Sequence, residues 1–391
     1  MNRGLGPRAL PCQKVMSTPL NSFASGTGAD KRVLGAASQV LQKAIEARAF
    51  PGCAFGVWAG GEVLLEAGLG RFTYENDASE VTPETVFDLA SLTKVVATTA
   101  AAMLLSQRGQ LDLDTPFSAL LPASVASRPA QDPARQVKIR HLLAHNSGLP
   151  GYVELFRLAS TPEELLEACL RLPLEAEPAA RAEYSDPGFI LLGKALEAKM
   201  GQDLASWVRR EVFAPLEMLA TGFCPAPEIR SAIPPTEVDI TFRNRRVQGE
   251  VQDENAWVLN GIAGHAGLFS NVPDLLRFAG AILEAGMGDR SMAVGSGLFE
   301  RSTIERFAQR QGPVGSSRAL GWDTPSENSS AGKHFGLNSI GHLGFSGCSI
   351  WIDLAESVAV VLLTNRTWPD RQSQLIRAVR PAFHDAVREA L

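Results

Sequence analysis

The chain has 391 residues, of which 45% are hydrophobic and 20% are charged, a composition typical of a globular protein. Its formal net charge is −5 and its basic residues form no cluster, so neither nucleic acid nor an anionic lipid surface is indicated as a partner. The longest nearly apolar run, residues 95–105, is too short to span a bilayer, and no membrane span is expected.

Residues 1–30 are rich in Gly, Ser, Pro and Thr and are predicted to form a disordered tail. This segment has no unbroken apolar stretch of the kind that secretory signal peptides contain. We therefore expect a cytoplasmic protein, with Met1 or Met16 as its translation start.

The ordered part of the chain begins with a predicted helix and a predicted hairpin. Apolar residues at helical spacing predict an amphipathic helix over Lys31–Ala49, which Pro51-Gly52 ends. Two apolar runs, Cys53–Trp58 and Glu62–Leu69, then flank a Gly-Gly turn and predict a β-hairpin.

Residues 88–94, Asp-Leu-Ala-Ser-Leu-Thr-Lys, lie where an extended stretch enters a long apolar run that predicts a buried helix. On a helix, Ser91 and Lys94 lie on one face, one turn apart. A buried ammonium loses its proton more easily, so Lys94 is a candidate base for a Ser91 nucleophile, and the helix N-terminus favours the alkoxide. A Ser-x-x-Lys pair alone is a weak signal, and a serine near a helix start with a surface lysine is the alternative.

The middle of the chain is predicted to be helical, over Ile139–His145, Thr161–Arg171, Pro187–Met200, Asp203–Phe213 and Pro273–Glu284. His141 and His145 have a spacing at which two side chains can bind one metal ion. Leu142 stands where the zincin motif needs a glutamate, so packing or helix capping is favoured for both histidines and no metal is predicted.

Strand character returns late in the chain, in Cys348–Asp353 and Ser357–Thr364, before a final helix over Gln372–Glu389 that Pro381 is expected to bend. Strands at both ends with helices between them predict one sheet built from the two termini. The helical region is then inserted into that sheet region.

Two further motifs accompany Ser91 and Lys94. Tyr184-Ser185-Asp186 precedes a predicted helix, where a tyrosine is usually a packing residue but can also place its phenolic oxygen beside a nucleophile. Residues 341–347, Gly-His-Leu-Gly-Phe-Ser-Gly, precede a strand, and their glycines either form an ordinary turn or let a substrate approach the backbone closely.

Together these motifs resemble the serine β-lactamase and penicillin-binding-protein superfamily, in the class C-like branch that also holds D-aminopeptidases, family VIII esterases and cell-wall amidases. The likeness extends to residues 139–150 and 261–270. It implies an α+β fold of the β-lactamase/transpeptidase type, in which an antiparallel sheet from both termini is flanked by helices.

The resemblance also implies one catalytic domain over residues 31–391. The sheet region would comprise residues 31–90 and about 335–391, and the mainly helical region about 91–334.

The resemblance further implies the roles of the site residues. Ser91 attacks a carbonyl and forms an acyl-enzyme, Lys94 shares in its activation, and Tyr184 carries the proton to the leaving group. The backbone N–H groups of Ser91 and Phe345 form the oxyanion hole. No metal or organic cofactor is implied.

The chain departs from the superfamily pattern at the residues expected to bind substrate. His342, Leu343 and Gly344 stand where penicillin-recognising members have Lys-Thr-Gly or Lys-Ser-Gly, and Asp186 stands where they have Asn. An unperturbed histidine is mostly neutral at pH 7, and leucine has no donor. Both changes argue against a carboxylate-bearing substrate, while Asp186 can meet a substrate amine.

The sequence therefore predicts a serine hydrolase acting on a small ester or amide, esterase-like with weak or no β-lactamase activity. The alternatives are a peptidoglycan-fragment amidase, a D-aminopeptidase and a class C-like β-lactamase. An alternative of another class is a non-catalytic binding protein that keeps the fold, but the intact Ser91, Lys94 and Tyr184 speak against it.

Overall fold

The computed structural model describes residues 28–285 and 297–391. The tail expected over residues 1–30 lies outside these ranges, apart from its last three residues, which begin the first helix. The helices are α1 (Gly28–Glu46), α2 (Ala100–Gln107), α3 (Phe117–Leu120), α4 (Ile139–Leu143), α5 (Pro162–Leu170), α6 (Asp186–Met200), α7 (Leu204–Val208), α8 (Glu254–Val258), α9 (Val272–Leu283), α10 (Arg301–Ala308) and α11 (Ile376–Ala390). The strands are β1 (Gly52–Ala59), β2 (Glu62–Gly70), β3 (Phe87–Asp88), β4 (Gly222–Phe223), β5 (Glu237–Asp239), β6 (Arg245–Val247), β7 (Leu268–Ser270), β8 (Ser339–Leu343), β9 (Ser349–Asp353) and β10 (Val358–Thr364).

The main sheet has five strands in the order β2-β1-β10-β9-β8, and all neighbours are antiparallel. Its strands come from residues 52–70 and 339–364, so the sheet is built from both ends of the described chain. The predicted α+β fold with an antiparallel sheet from both termini is confirmed. Small ladders, β3-β7-β4 and β5-β6, lie outside this sheet.

The two faces of the main sheet are covered by different helices. Phe55 of β1 faces α1 and α11, where its ring meets that of Phe383 edge to face at 5.6 Å between centroids. On the opposite face, Trp58 packs against α9. A Cβ at Gly280 of α9 would lie 2.8 Å from the Trp58 ring, so the glycine allows the helix to approach the sheet this closely.

Helix ends follow the local sequence rules, which explains why most were predicted to within a few residues. The Thr161 hydroxyl accepts the N–H of Glu164, and the Glu164 carboxylate accepts the N–H of Ser160, a reciprocal cap at the start of α5. The Ser185 hydroxyl accepts the N–H of Gly188 and caps α6 in the same way. No helix in the described ranges is long and apolar enough to cross a membrane.

The buried helix predicted after Ser91 is present, but it is not α-helical throughout: residues 90–92 form a 3-10 turn, Lys94–Thr99 forms a π-helical turn, and α2 follows. The segment 341–347 precedes strand β9 as predicted, and its first three residues belong to strand β8, which was not predicted. Gly341 is a glycine inside that strand because the ring of Trp351 from β9 occupies the space of a side chain.

We expect Gly280→Ala to destabilise the protein by about 1–3 kcal/mol, because a methyl group there clashes with the Trp58 ring in a packed core. Gly35→Ala is the matched control: Gly35 is an exposed residue of α1 with open space around its Cα, so alanine should stabilise by about 0.4–1 kcal/mol. Urea unfolding of both variants measures the difference. A Gly280→Ala protein as stable as Gly35→Ala would show that α9 does not pack this closely.

Candidate active site

Ser91 follows a residue with an unusual backbone conformation. Ala90 has φ +46°, in the left-handed region that alanine rarely adopts. Asp88 holds it there: one carboxylate oxygen accepts the N–H of Ala90 at 2.8 Å and the other accepts the N–H of Gln252 at 2.7 Å. Burial raises the pKa of Asp88 to about 6, although both N–H groups oppose the shift. The turn that presents Ser91 is thus fixed by a buried carboxyl group.

Lys94 is fully buried and donates three hydrogen bonds. Its Nζ lies 2.9 Å from the Ser91 Oγ, 2.6 Å from an oxygen of Asp186 and 3.2 Å from the carbonyl oxygen of His265. Burial lowers the pKa of Lys94, but the charge of Asp186 and the phenolic oxygen of Tyr184 outweigh burial and leave that pKa raised. The expectation that burial readily deprotonates Lys94 is therefore wrong for the resting site, where the side chain is an ammonium.

Tyr184 lies against both members of the Ser-Lys pair. Its ring centroid is 4.7 Å from the Lys94 Nζ, and its ring packs on that of His145 at 4.6 Å. Burial raises the pKa of Tyr184, while interactions of its hydroxyl with Lys94 and Ser91 lower it; the net shift is upward, so the resting side chain is a neutral phenol. The structure therefore brings the three predicted catalytic side chains together.

Asp186, predicted to contact substrate, is the first residue of α6 and forms an ion pair with Lys94. The ammonium group of Lys94 therefore compensates the negative charge of Asp186 before any substrate binds. A second carboxylate lies behind Lys94: Asp253 contacts the Nε2 of His265 at 2.9 Å. Although burial raises the pKa of Asp253, the charges of His265 and Lys94 and the hydrogen bonds it accepts lower it to about 2.

His342 belongs to residues 341–347, the third motif after Ser91-x-x-Lys94 and Tyr184-Ser185-Asp186; its side chain is neutral, and its Nε2 carries no proton. Burial and nearby cations lower the pKa of His342 well below its usual value, and its Nδ1–H donates to the carbonyl of Leu343 at 2.8 Å. The Nδ1 of His145 accepts the N–H of Ser185 at 2.9 Å, so its proton is on Nε2. Within the described ranges the Nε2 atoms of both histidines are buried without a partner. His141 instead caps the start of α4.

The turn after β8 carries the predicted second oxyanion donor. Gly344 packs against the backbone of Leu89, two residues before Ser91, at a distance that leaves no room for a Cβ. The carbonyl of Phe345 accepts a hydrogen bond from Arg366 at 2.8 Å, and among the described residues no carbonyl accepts the Phe345 N–H. Its half-exposed side chain lies at the surface. The oxyanion role of Ser91 and Phe345 stays a prediction, as do the substrate contacts of Leu343 and Gly344.

One group of three neighbouring carboxylates in the described part of the chain has the spacing of metal ligands, and it comprises Glu237, Asp239 and Glu254. Arg243 pairs with Asp239 at 2.7 Å, and Arg371 pairs with both glutamates. These guanidinium groups already compensate the negative charge, so the cluster is explained as an ion-pair network.

Sequence reasoning missed Arg318. Its Cζ lies 5.2 Å from the ring centroid of Tyr184, and its charge helps to lower the pKa values of His145 and His342, for which burial is the larger cause. Arg318 is in an irregular segment far from every motif in the sequence. No sequence pattern predicts it, because only the packing of that segment against Tyr184 brings the guanidinium to the site.

Comparison with known proteins identifies relatives along most of the chain. The Beta-lactamase family model matches residues 37–382. An N-acetylmuramyl-L-alanine amidase of Bacillus subtilis (strain 168) is 30% identical over 367 residues, covering 84% of this chain and 80% of the relative. A putative D-alanyl-D-alanine carboxypeptidase of Salmonella paratyphi A is 30% identical over 315 residues, covering 73% and 70%. Among solved structures, EstCE1, a hydrolase with promiscuous acyltransferase activity, superposes with a TM-score of 0.71 at 22% identity, covering 93% of this chain and 100% of that one.

We expect Asp186→Asn to shift the activity profile to lower pH, provided that Lys94 must be neutral to accept the Ser91 proton. The negative charge of Asp186 raises the pKa of Lys94, so its removal leaves the lowering effect of burial and increases the neutral fraction at pH 7. The dependence of kcat/KM on pH measures the shift.

Glu183→Gln is the control for this variant, since it removes the same charge from a surface ion pair with Arg181. Its pH profile should match that of the unmodified protein. An acidic limb that stays in place in Asp186→Asn would mean that neither Lys94 nor Tyr184 is the titrating group, because the charge of Asp186 raises the pKa of both side chains.

Proposed function

The chain belongs to the Beta-lactamase family, and from this we propose that it is a serine hydrolase that forms an acyl-enzyme on Ser91. The observation that carries the proposal is the 2.9 Å contact between the Ser91 Oγ and the Lys94 Nζ, with Tyr184 against both. A nucleophile within hydrogen-bond reach of a candidate base, which a third group orients, is the arrangement that covalent catalysis requires. Asp186 is the orienting group.

In the proposed reaction Lys94 or Tyr184 first gives one proton to solvent. The Ser91 oxygen then attacks the carbonyl carbon of an ester or amide, and the Ser91 proton passes to the neutral amine of Lys94 or to the phenolate of Tyr184. A tetrahedral oxyanion forms, and the N–H groups of Ser91 and Phe345 stabilise it by about 3 kcal/mol per donor. Tyr184 then protonates the leaving alcohol or amine as the carbon–leaving-group bond breaks. A water molecule attacks the resulting ester on Ser91, releases the acid and restores the serine.

The first choice of substrate is a neutral ester or amide, with weak or no β-lactamase activity. The neutral His342 presents a lone pair in place of a cation, and Leu343 offers no side-chain donor. A carboxylate therefore finds neither of the usual groups of the third motif. The likeness to EstCE1, a hydrolase with promiscuous acyltransferase activity, is a likeness of fold.

A second candidate substrate is an amide that carries a carboxylate, as in a peptidoglycan fragment. The observation that favours it is Arg318, whose guanidinium lies beside Tyr184 and supplies a cation from outside the third motif. Two relatives at 30% identity are named as an amidase and as a putative carboxypeptidase. In this alternative Arg318 binds the substrate carboxylate that the third motif cannot hold.

Ser91→Ala should abolish hydrolysis and covalent labelling by a fluorophosphonate probe. The substitution removes the Ser91 Oγ, the candidate nucleophile that contacts Lys94. Intact-protein mass spectrometry detects the probe adduct. Ser302→Ala, at an exposed serine of α10, is the control and should be labelled fully. A labelled Ser91→Ala protein would place the nucleophile elsewhere.

Arg318→Ala separates the two substrate classes. If Arg318 binds a carboxylate, kcat/KM for N-acetyl-D-alanyl-D-alanine should fall about 10- to 100-fold, since a charge-assisted hydrogen bond contributes about 1.5–3 kcal/mol. The corresponding dipeptide amide lacks the charge, and its kcat/KM should change little. Arg306→Ala, at an exposed arginine of α10, controls for the loss of a positive charge. Equal losses on the acid and the amide would leave the neutral substrate as the better proposal.

A further inference from the structure

We propose that Arg380 is a positioning residue for the oxyanion hole, which orients and polarises the peptide group that carries the Phe345 N–H. The inference rests on the proposed acyl-enzyme function and adds to it a residue of α11, outside all the sequence motifs. The Arg380 guanidinium donates a hydrogen bond to the Gly344 carbonyl, and this carbonyl belongs to the same peptide group as the Phe345 N–H.

The Arg380 side chain is buried and all its described partners are backbone carbonyls of one turn. It donates to the carbonyl oxygens of Gly344 at 2.6 Å, Cys348 at 2.9 Å and Gly347 at 3.1 Å. In the described part of the chain no carboxylate forms an ion pair with it, and the residue is 6% exposed. One guanidinium group thus holds three carbonyl oxygens of the turn between β8 and β9.

The geometry of a trans peptide connects this contact to the site. The carbonyl of Gly344 and the N–H of Phe345 belong to one planar group and point in opposite directions. Because Arg380 holds the carbonyl from the α11 side, the N–H must point away from α11. Leu89 packs against the same turn, so the segment that leads into Ser91 is its direct neighbour.

The charge of Arg380 also strengthens the donor. A carbonyl that accepts a hydrogen bond from a cation draws electron density from its own amide, which makes the attached N–H a better donor. Burial lowers the pKa of Arg380, to about 10, so the group is still a cation at neutral pH. The third motif lacks a lysine, and Arg380 supplies positive charge to the developing oxyanion from behind the turn.

The cost of this arrangement argues that it has a function. Burying an ionised side chain without a counter-charge is unfavourable, and an apolar residue of similar volume fills such space more cheaply. A neighbouring arginine, Arg366, is also buried, and it holds the carbonyl of Phe345. Repulsion between the two guanidinium groups contributes to the lowered pKa of Arg380, after burial. Two like charges behind one turn are explained by the negative charge that forms on its other side.

The test compares Arg380→Gln with Arg377→Gln, a control at an exposed arginine of the same helix. The substrate is p-nitrophenyl butyrate, and phenylboronic acid serves as a tetrahedral mimic of the transition state. For Arg380→Gln we expect kcat/KM to fall about 10- to 100-fold. This loss is smaller than the roughly 10²- to 10³-fold fall in kcat that removal of an entire oxyanion donor causes. The Ki of the boronic acid should rise by a similar factor of about 10 to 100. KM should change much less than kcat, and Arg377→Gln should resemble the unmodified enzyme.

If Arg380 has a purely structural role, the Arg380→Gln variant should have a lower melting temperature, but its folded molecules should keep their kcat and their affinity for the boronic acid. Fluorophosphonate labelling of Ser91 counts the folded molecules. That pattern overturns the inference. If Arg380→Gln does not fold, Arg380→Lys takes its place, because lysine keeps the charge but cannot hold three carbonyls in one plane; unchanged kcat and Ki in that variant also overturn it. If the proposed function itself is wrong, the result differs from both patterns: the unmodified protein then shows neither turnover nor labelling of Ser91.

Discussion

The fold and the site both depend on the burial of one ammonium group. Lys94 has no exposed surface, so each of its three protons needs an acceptor inside the protein. Ser91, Asp186 and the carbonyl of His265 supply them, and these residues come from three distant parts of the chain. The contacts that stabilise the buried charge therefore also bring Ser91, α6 and the segment before β7 together. Packing of the helical region cannot change without moving the site.

The positively charged side chains at this site come from other positions than in the superfamily pattern. The third motif contributes a neutral His342, and the ammonium of Lys94 is matched by Asp186. Arg318 reaches Tyr184 from an irregular segment, and Arg380 reaches the turn between β8 and β9 from α11. Both are long side chains that act from elements with no motif of their own. The site therefore contains cations even though the third motif has His342 in place of a lysine. For this reason the third motif alone does not determine the substrate class.

The parts of the structure that the sequence predicts are those with local causes. The hairpin of β1 and β2, the cap at Thr161 and the long helix α6 follow from periodicity and capping, so their existence and their approximate bounds could be predicted. The proximity of Ser91, Lys94 and Tyr184 was inferred from motifs. The π-helical turn at Lys94, the two-residue strand β3 and the roles of the arginines have no local signal, because long-range contacts create them. The direction of the net pKa shift of Lys94 could not be predicted for the same reason: the pKa depends on the charge of Asp186, a residue distant in sequence.

Asp88 holds the turn that presents Ser91 and the turn between β8 and β9 in a fixed position relative to each other. Its carboxylate fixes the left-handed Ala90, while its own carbonyl accepts the hydroxyl proton of Ser346 at 2.8 Å. One residue thus connects the turn that presents Ser91 to the turn that carries the Phe345 N–H. A non-glycine residue with positive φ costs of order 1–3 kcal/mol and persists only where its surroundings enforce it. Here Asp88 also contacts the second turn through Ser346, so the strained backbone at Ala90 and the position of the Phe345 N–H belong to one rigid arrangement.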